Sequence, residues 1–416
     1  MKKKPNVLMF APSFAPNFFS EALVNSKLAL AMLDEGWEVT VFSASAVSDF
    51  GYTDTWESPW QPLRPIVRQI PAAGNHGSLK KIGRAAWAIA TGRHPVPGAI
   101  WAAKVARAAL EIHAVRPFDL MLTRSTSCIA HLPGLIVKRA AGVPWIANWN
   151  DPPPHLFPAP YNYPISPLRR FFTERYLSEA AAVADLNTFP SERLMRYLAE
   201  PLLISDPKRM HVVPHIGLGF RGHAPTGKKD RFRISHAGNL SVERNPRGFL
   251  RALAEVANRH TEIRFELELI GKIDDGIKAE VEKLQLSKVV TFLPNLSFQA
   301  CFQQMEESDA LLLIEASVEN GIFFPSKIVD YCEVGRPILF ISPEQGVSRE
   351  MNDRFKLGYF CNVDEPTSIV VGLEKLVLDW KADRISYSGL EDMRTIVSPS
   401  EIVGQIGRLA RSLGVH

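Results

Sequence analysis

The sequence predicts an α/β protein with two Rossmann-like domains, each built around a parallel sheet. Short apolar runs that suit buried strands alternate with helical patterns along nearly the whole chain. The chain has 416 residues, which is more than one hydrophobic core usually accommodates. A polar, glycine-containing stretch at 217–230 separates two series of strands. We therefore expect one domain at 1–216, a second at 217–397, and a final helix after them.

The chain opens with a strand, a helix and a second strand. Residues 6–10 form a short apolar run, and residues 21–35 follow a helical pattern without glycine or proline. Gly36 stands where a helix end favours a left-handed residue, and the next strand is expected at 37–42. This order implies parallel strands joined by a right-handed crossover.

The same alternation continues through both halves of the chain. In the first half, further strands are expected at 118–122, 144–148, 184–188 and 211–214, with helices at 129–141 and 168–183. In the second half, strands are expected at 232–236, 265–270, 289–293, 309–315 and 337–341, and the final helix at 400–413. Asn245 and Pro246 suit the N-cap and the first position of a helix. Ligands bind outside the carboxyl ends of parallel strands, so we expect a site in the loops that follow strands, in a cleft between the domains.

Composition and cysteine spacing exclude several classes of protein. Hydrophobic residues make up 46% and charged residues 22% of the chain, as in a folded globular protein. No apolar run approaches the roughly 20 residues that span a bilayer, and the apolar stretch at 7–11 is too short for a signal peptide. The cysteines are far apart in sequence, which favours a reducing cytoplasm over a disulfide framework or a zinc site.

The positive charge of the chain is concentrated in one segment. Residues 58–110 contain eight Lys and Arg residues and no acid, so the rest of the chain has a slight excess of acids. Within this segment, residues 79–107 combine an apolar helical face with bases and with Trp87 and Trp101, which fits a helix lying on anionic lipid headgroups. The alternative is the solvated basic face of an ordinary helix. No nucleic-acid-binding module accompanies the charge, so nucleic acid is not expected as a partner.

Two loops of the first domain are candidates for a site. Residues 11–20 lead into a helix N-terminus, which can bind an anion, but they lack the GxGxxG pattern of NAD-binding proteins. Asn150 and Asp151 end a strand and precede three prolines, so a rigid loop can hold them in a cleft. Asp151 is equally compatible with a simple turn before proline.

Two loops of the second domain indicate phosphate binding more specifically. Gly238 lets the backbone approach a ligand closely, and Arg244 precedes a helix N-terminus, where free N–H groups suit a diphosphate. Ser326 and Lys327 lie in the first turn of a later helix, and Asp330 follows about one turn on, where it could reach a ribose diol. The alternatives are a solvated arginine and an exposed Lys327–Asp330 pair worth under about 1 kcal/mol.

Several motifs resemble those of glycosyltransferases with the GT-B fold, close to glycosyltransferase family 4, over nearly the whole chain. The weaker ones are Gly36-Trp-Glu-Val-Thr-Val41, residues 142–152 with their acid before proline, Val212-Val-Pro-His215 and Ala237-Gly-Asn-Leu240. The most specific is Pro325-Ser-Lys-Ile-Val-Asp-Tyr331 followed by Gly335-Arg-Pro337, which is similar to the donor-site motif of that family.

The resemblance implies a retaining transfer of a sugar from a UDP- or GDP-sugar to a glycan or a polyprenyl- or other lipid-linked acceptor, without a metal or a permanently bound cofactor. By motif match, the donor-binding residues would be Gly238, Asn239, Arg244, Ser326, Lys327 and Asp330. Lys327 and Arg244 would offset the charge of the leaving diphosphate, and Asn150 and Asp151 would face the sugar or the acceptor, so these four form the expected catalytic set. The final helix would cross back, so that 398–416 complete the first domain.

The resemblance also suggests a setting, which is surface-polysaccharide or glycolipid synthesis in the cytoplasm, at the inner face of the membrane. Two alternatives remain open. A GT-B-like nucleotide-sugar epimerase would convert its substrate with no acceptor present. A catalytically silent, partner-binding subunit is the other alternative, because Ile322 replaces the first Glu of the Glu-x7-Glu pattern of the family.

Overall fold

The chain folds into two compact units. The computed structural model describes residues 4–17, 19–44, 56–71, 83, 94–125, 128–162, 164–223, 231–385 and 387–415. The first unit consists of Met1–Phe157, Asn162–Ile216 and Pro399–His416, and the second consists of Pro158–Tyr161 and Gly217–Ser398. Among the described residues, no helix is both long and apolar enough to cross a bilayer.

The first unit contains a seven-stranded parallel sheet in the order β3-β2-β1-β4-β5-β6-β7. Its elements are β1 (Asn6–Phe10), α1 (Ser20–Asp34), β2 (Glu38–Ala44), β3 (Val67–Ile70), α2 (Ala99–Val115), β4 (Leu120–Ser125), α3 (His131–Ala141), β5 (Trp145–Trp149), α4 (Pro167–Val183), β6 (Leu186–Phe189), α5 (Glu192–Ala199) and β7 (Met210–Val212). The strand order reverses between β1 and β4, where Val7 pairs with Val39 on one side and with Leu120 on the other.

The central strands of this sheet are buried along their whole length. Every residue of β1, β4 and β5 is buried, as expected when helices cover both faces of a parallel sheet. The C-terminal helix, Pro399–Ser412, belongs to this unit and packs against α1. Its buried face includes Ile402, Ile406 and Ala410.

The structure corrects the expectation that Trp101 is an interfacial residue of a lipid-binding helix. Trp101 lies in α2 with only 2% of its surface exposed, and its indole N–H donates to the carbonyl of Ile70 in β3 at 2.8 Å. It therefore anchors α2 to the edge strand. Trp87 and the rest of residues 79–82 and 84–93 of the expected lipid-binding helix lie outside the described residues.

The second unit contains a six-stranded parallel sheet in the order β10-β9-β8-β11-β12-β13. Its elements are β8 (Arg231–Ala237), α6 (Arg247–Arg259), β9 (Arg264–Ile270), α7 (Asp275–Lys283), β10 (Val290–Leu293), α8 (Phe298–Glu306), β11 (Ala310–Ile314), α9 (Lys327–Val334), β12 (Ile338–Ser342), α10 (Val347–Phe355), β13 (Gly358–Asn362), α11 (Pro366–Lys381) and α12 (Leu390–Ile396). The strand order reverses between β8 and β11, which pair at Ile234 and Ala310.

Two hydrophobic cores cover the two faces of this sheet. Successive residues of β11 alternate between them, with Leu312 in one core and Leu311 and Leu313 in the other, because side chains of a strand point to opposite faces in turn. The helix α6 begins one residue later than expected. Pro246 occupies the N-cap position, and the side chain of Asn245 accepts the backbone N–H of Arg247 at 3.0 Å.

Candidate functional site

The candidate phosphate-binding residues lie at the reversal point of the second sheet. The strand β8 ends at Ala237 and Gly238 follows it, while Lys327 is the first residue of α9, the helix after the neighbouring strand β11. Reversal points of this kind are where open α/β sheets form crevices for ligands. A helix N-terminus at this position adds the partial positive charge of its unpaired N–H groups.

Lys327 lies directly over Gly238. A Cβ atom on residue 238 would lie 2.4 Å from Cε and 2.6 Å from Nζ of Lys327, so any larger residue would displace the ammonium group from this position. The backbone of Gly238 has a φ of 134°, which also favours glycine. Burial, and then the positive charge of Arg244, lower the pKa of Lys327 to about 8, while Asp330 acts in the opposite direction. The ammonium group is therefore poorly solvated and close to a second positive charge, which nearby Asp330 only partly offsets.

His236 brings a buried hydrogen-bond acceptor to the same place. Its Nδ1 lies 2.8 Å from the carbonyl of Leu312, and because a carbonyl only accepts, Nδ1 carries the proton. Burial, and then the charge of Lys327, lower the pKa of His236 to about 3, so the ring is neutral. Its Nε2 therefore has a free lone pair, which has no partner among the described residues and lies 3.9 Å from the position of a Cβ on Gly238.

Arg244 supplies a second cation on an exposed loop. Its Nε–H donates to the hydroxyl oxygen of Tyr161 at 3.2 Å, and its backbone N–H donates to the hydroxyl of Ser241 at 3.4 Å. Within the part of the chain that the structure describes, neither Arg244 nor Lys327 forms an ion pair with a carboxylate at 4 Å or less. We call Lys327, Arg244, His236 and Gly238 the cation cluster.

Carboxylates lie near the cation cluster without neutralising it. Burial raises the pKa of Glu315, at the end of β11, whereas Arg244 and Lys327 lower it. Asp330 lies one turn along α9 from Lys327, close enough to raise the pKa of that lysine. The structure places Lys327 beside Gly238, and Asp330 one turn along the same helix. The roles of these residues toward a ligand stay predictions.

Two other predicted donor residues differ in their local contacts. The side-chain oxygen of Asn239 accepts the backbone N–H of Lys272 at 3.0 Å, so this side chain ties two loops of the second unit together. Ser326 is the N-cap residue of α9, and its side chain makes no capping hydrogen bond. Its hydroxyl is therefore not used in closing the first turn of that helix.

The first unit has its own polar cluster at the equivalent reversal point, which we call the Glu21 cluster. Asn150 is 5% exposed, and its side-chain nitrogen donates to the two carboxylate oxygens of Glu21 at 2.9 and 2.8 Å. Asn25 donates to Glu21 at 3.0 Å and accepts the Nε–H of Arg124 at 2.8 Å. Burial lowers the pKa of Arg124 to about 10, and the charge of Glu21 opposes this change. The cluster thus contains one buried cation and one buried anion joined through amides.

The structure limits what Asn150 can offer a ligand, since its amide nitrogen is already bound. Its side-chain oxygen is buried and has no partner among the described residues. Asp151, the next residue, is partly exposed in the loop after β5. Sequence reasoning missed the other members of the Glu21 cluster. The available signals were the pair Glu21 and Asn25, four residues apart on one helix face, and a charged Arg124 within a strand that is otherwise largely apolar.

Tyr161 is a further residue that sequence reasoning missed. It belongs to the short segment of the first half that forms part of the second unit. No motif marked it, and its contact with Arg244 joins residues 83 positions apart in sequence. Across the described residues, no group of three or more His, Cys, Asp or Glu side chains is arranged to hold a metal ion.

Comparisons with known proteins agree with this architecture. Residues 23–215 match the family model of the glycosyl transferase 4-like domain. The structure is similar to that of HepE from Anabaena in complex with UDP, with 16% sequence identity, a TM-score of 0.65, and coverage of 98% of this chain and 100% of that chain. A comparison with curated proteins finds no match.

Two further solved structures resemble this chain over nearly its full length. Sucrose-phosphate synthase from Thermosynechococcus elongatus is 15% identical, with a TM-score of 0.69 and coverage of 99% of both chains. WaaG, a glycosyltransferase involved in lipopolysaccharide biosynthesis, is 13% identical, with a TM-score of 0.60 and coverage of 94% of this chain and 95% of that chain. The expected resemblance to GT-B glycosyltransferases and the expected pair of Rossmann-like domains are confirmed.

Proposed function

We propose that this protein is a glycosyltransferase that takes a sugar from a nucleoside-diphosphate donor, a UDP- or GDP-sugar, bound to the second unit. The observation that carries the proposal is the cation cluster. Lys327 and Arg244 are mutually repelling cations near a helix N-terminus, at the reversal point of the sheet, and neither is paired with a described carboxylate. A diphosphate has the charge and the acceptor oxygens that this arrangement lacks.

The comparisons support the same class of activity. The N-terminal half of the chain matches a glycosyl transferase 4-like domain, and the similar structure of HepE contains UDP. WaaG, which shares the fold, is described as a glycosyltransferase. The UDP in the HepE structure makes UDP the first nucleotide to test. GDP, the other donor nucleotide that the family resemblance implies, is the second.

The proposed mechanism follows from where negative charge develops. As the bond between the sugar and the diphosphate breaks, the departing diphosphate gains charge, which Lys327 and Arg244 would offset. Gly238 lets the diphosphate approach the backbone, and Asp330 binds the ribose. A retaining outcome, and transfer without a metal ion, are what the family resemblance implies, and we propose both.

On the acceptor side we propose a glycan or a lipid-linked acceptor, in the synthesis of a surface polysaccharide or a glycolipid. Asp151 is partly exposed and would face the sugar or the acceptor. Asn150 would act through its side-chain oxygen, because its nitrogen is bound to Glu21. We also propose a cytoplasmic protein that binds anionic membranes through basic residues of 79–107, without Trp101, which is buried. The test is release from anionic vesicles when Lys80, Lys81 and Arg84 are replaced by Gln.

Isothermal titration of UDP and GDP tests the donor site. The native protein should bind at least one of them. Lys327→Met should weaken that binding by about 1–3 kcal/mol, because it removes the positive charge that would interact with the phosphate. Lys278→Met is the matched control, since Lys278 is an exposed lysine of the same unit that pairs with Asp275 at 2.8 Å. Binding of neither nucleotide would contradict the proposal.

Product analysis then separates the possible activities. A panel of UDP- and GDP-sugars, first ranked by thermal shift, is incubated with the protein with and without glycan or lipid acceptors. A glycosyltransferase should release nucleoside diphosphate in step with acceptor modification. Conversion of a nucleotide-sugar to its epimer without acceptor would instead identify an epimerase. Nucleotide binding with no conversion under any condition would favour the silent, partner-binding alternative.

A further inference from the structure

Four residues from the first half of the chain are part of the second unit. Pro158–Tyr161 belong to that unit, although the chain on both sides of them belongs to the first unit. They follow the loop that carries Asn150 and Asp151. Tyr161 is the member of this segment with the most specific contacts, and the proposed function as stated so far gives it no role.

Tyr161 lies between two loops that border the cation cluster. Its hydroxyl oxygen accepts the Nε–H of Arg244, on the loop after β8, at 3.2 Å. Its ring meets that of Phe323, on the loop between β11 and α9, edge to face, with centroids 5.9 Å apart and planes at 89°. The two loops leave neighbouring strands at the reversal point of the sheet, so Tyr161 connects them across the place where the donor would lie.

The hydrogen bond uses one edge of the guanidinium group. Arg244 carries donors on Nε and on two Nη atoms, and Tyr161 occupies Nε. The carbon at the centre of the guanidinium lies 5.8 Å from the ring centroid of Tyr161, near the outer limit of a cation–π contact, so the hydroxyl is the closer partner. Within the described chain, the Nη atoms have no hydrogen-bonded partner, and the carboxylate of the neighbouring Glu243 accepts from Ser241 instead.

We propose that Tyr161 is a positioning residue for Arg244, which holds the guanidinium by Nε so that both Nη groups are presented to the diphosphate of the donor. This inference rests on the proposed function. An arginine side chain on an exposed loop loses much rotamer freedom when it binds a ligand. A guanidinium group that is already held in place loses less. Two parallel N–H donors match the oxygens of a phosphate.

The chemistry of the phenol suits this role. Burial raises the pKa of Tyr161 and Arg244 lowers it, so the group is an un-ionised phenol at neutral pH. Its oxygen therefore accepts from Arg244 without cancelling the positive charge that the diphosphate needs. A carboxylate at this position would bind the guanidinium more tightly but would compete with the phosphate. Phenylalanine would retain the ring contact with Phe323 and remove only the hydrogen bond.

A double-mutant cycle on the full-length protein tests the inference. Isothermal titration with UDP, or with GDP if the native protein prefers it, is carried out on the native protein, Tyr161→Phe, Arg244→Ala and the double variant. Tyr161→Phe should weaken binding about three- to tenfold in the native background. It should have no further effect once Arg244 is removed, because its whole contribution acts through that side chain.

Tyr197→Phe is the matched control. Its hydroxyl donates to the carbonyl of Leu156 at 2.8 Å, in the loop just before Tyr161, and has no contact with Arg244. Native affinity is expected for this variant. Thermal unfolding of each variant shows that it is folded before titration.

Three results would overturn the inference. One is native affinity for Tyr161→Phe. A second is an equal loss in the native and Arg244→Ala backgrounds, which would mean that Tyr161 acts on the ligand directly or through the fold. A third is a loss of affinity in Tyr197→Phe as large as that in Tyr161→Phe. Absence of nucleotide binding in the native protein would instead refute the proposed function itself, and the inference with it.

Discussion

The two units place a polar cluster at the same point of their sheets, where the strand order reverses, but the clusters are opposite in kind. In the first unit, Glu21 and Arg124 are buried and joined through amide side chains. In the second, Lys327 and Arg244 repel each other and have no close carboxylate partner among the described residues. Opposite charges joined through polar side chains stabilise a fold, although the side-chain oxygen of Asn150 in the Glu21 cluster also lacks a described partner. Like charges left without a counter-charge favour the binding of an anion, which is the basis of the proposed donor site.

Two buried histidines, each with an Nε2 that has no described partner, differ in their surroundings. Burial lowers the pKa of both His131 and His236 to about 3, so both are neutral. The ring of His131 packs against Trp149, with centroids 3.9 Å apart, and its Nδ1 lies 2.7 Å from the hydroxyl of Thr123. His236 instead lies beside Lys327 and Gly238. The same residue type thus serves core packing in one unit and borders the candidate site in the other.

The largest expected effect is on the stability of the first unit. Glu21→Leu should lower the free energy of unfolding by about 3 kcal/mol, because Arg124 would remain buried without its counter-charge. Denaturant unfolding measures this loss. Glu111→Leu is the control, since Glu111 is an exposed residue paired with Arg107 at 3.0 Å, and it should change stability by less than about 1 kcal/mol. Equal stability of the two variants would mean that Glu21 contributes no more to stability than an exposed residue, which contradicts the structural role of the Glu21 cluster.

The next effect is an increase in the free energy of unfolding, and it concerns the second unit. The pKa of Lys327 is about 8 in the folded protein against an ordinary 10.5, so below pH 8 the charged lysine opposes folding. Lys327→Met should therefore raise the free energy of unfolding at pH 7 by about 1–2 kcal/mol when no nucleotide is present. A loss of stability in this variant would indicate that Lys327 is a structural residue.

An effect of similar size, on nucleotide affinity, is expected from Gly238→Ala. The new methyl group would overlap Cε of Lys327, which must move away, and a φ of 134° strains any residue with a Cβ. We expect nucleotide affinity to fall by about 1.5 kcal/mol, measured by isothermal titration. Gly142→Ala is the control, because its φ of 69° is also positive but its Cβ would meet open space. Both variants should lose stability, and only Gly238→Ala should lose affinity.

The smallest effect is a pH dependence of nucleotide binding. Lys327 is charged below pH 8 and neutral above it, so affinity should decrease by up to about tenfold between pH 7 and pH 9 in the native protein. Titration calorimetry across this range measures the change. The profile of Lys327→Met should be flatter, and identical profiles for the two proteins would assign the pH dependence to another group.

Much of the fold could be predicted because its signals are local. The apolar runs of β1, β5 and β11 are fully buried strands in the structure. Two strands were missed for physical reasons. The edge strand β3 contains the exposed residues Arg68 and Gln69, and β13 begins at Gly358 with alternating burial, so neither reads as a continuous apolar run.

The candidate site could be predicted only where one short motif carried it. Lys327 and Asp330 lie one turn apart on one helix, and Gly238 directly follows a strand. The Glu21 cluster could not be found in this way, since Asn150 and Glu21 are 129 residues apart and Arg124 and Asn25 are 99 apart. The error at Trp101 has a similar origin, because the indole N–H binds the carbonyl of a distant strand that the sequence did not reveal.

Denaturant unfolding of the native protein and Lys327→Met, each with and without saturating UDP or GDP, tests the central claim most directly. If the cation cluster is a diphosphate site, the native protein should gain about 2–3 kcal/mol from nucleotide at 100 times its dissociation constant. Lys327→Met should be the more stable protein without nucleotide and should gain much less at the same concentration. Equal gains in the two proteins, or none in the native protein, would contradict the account.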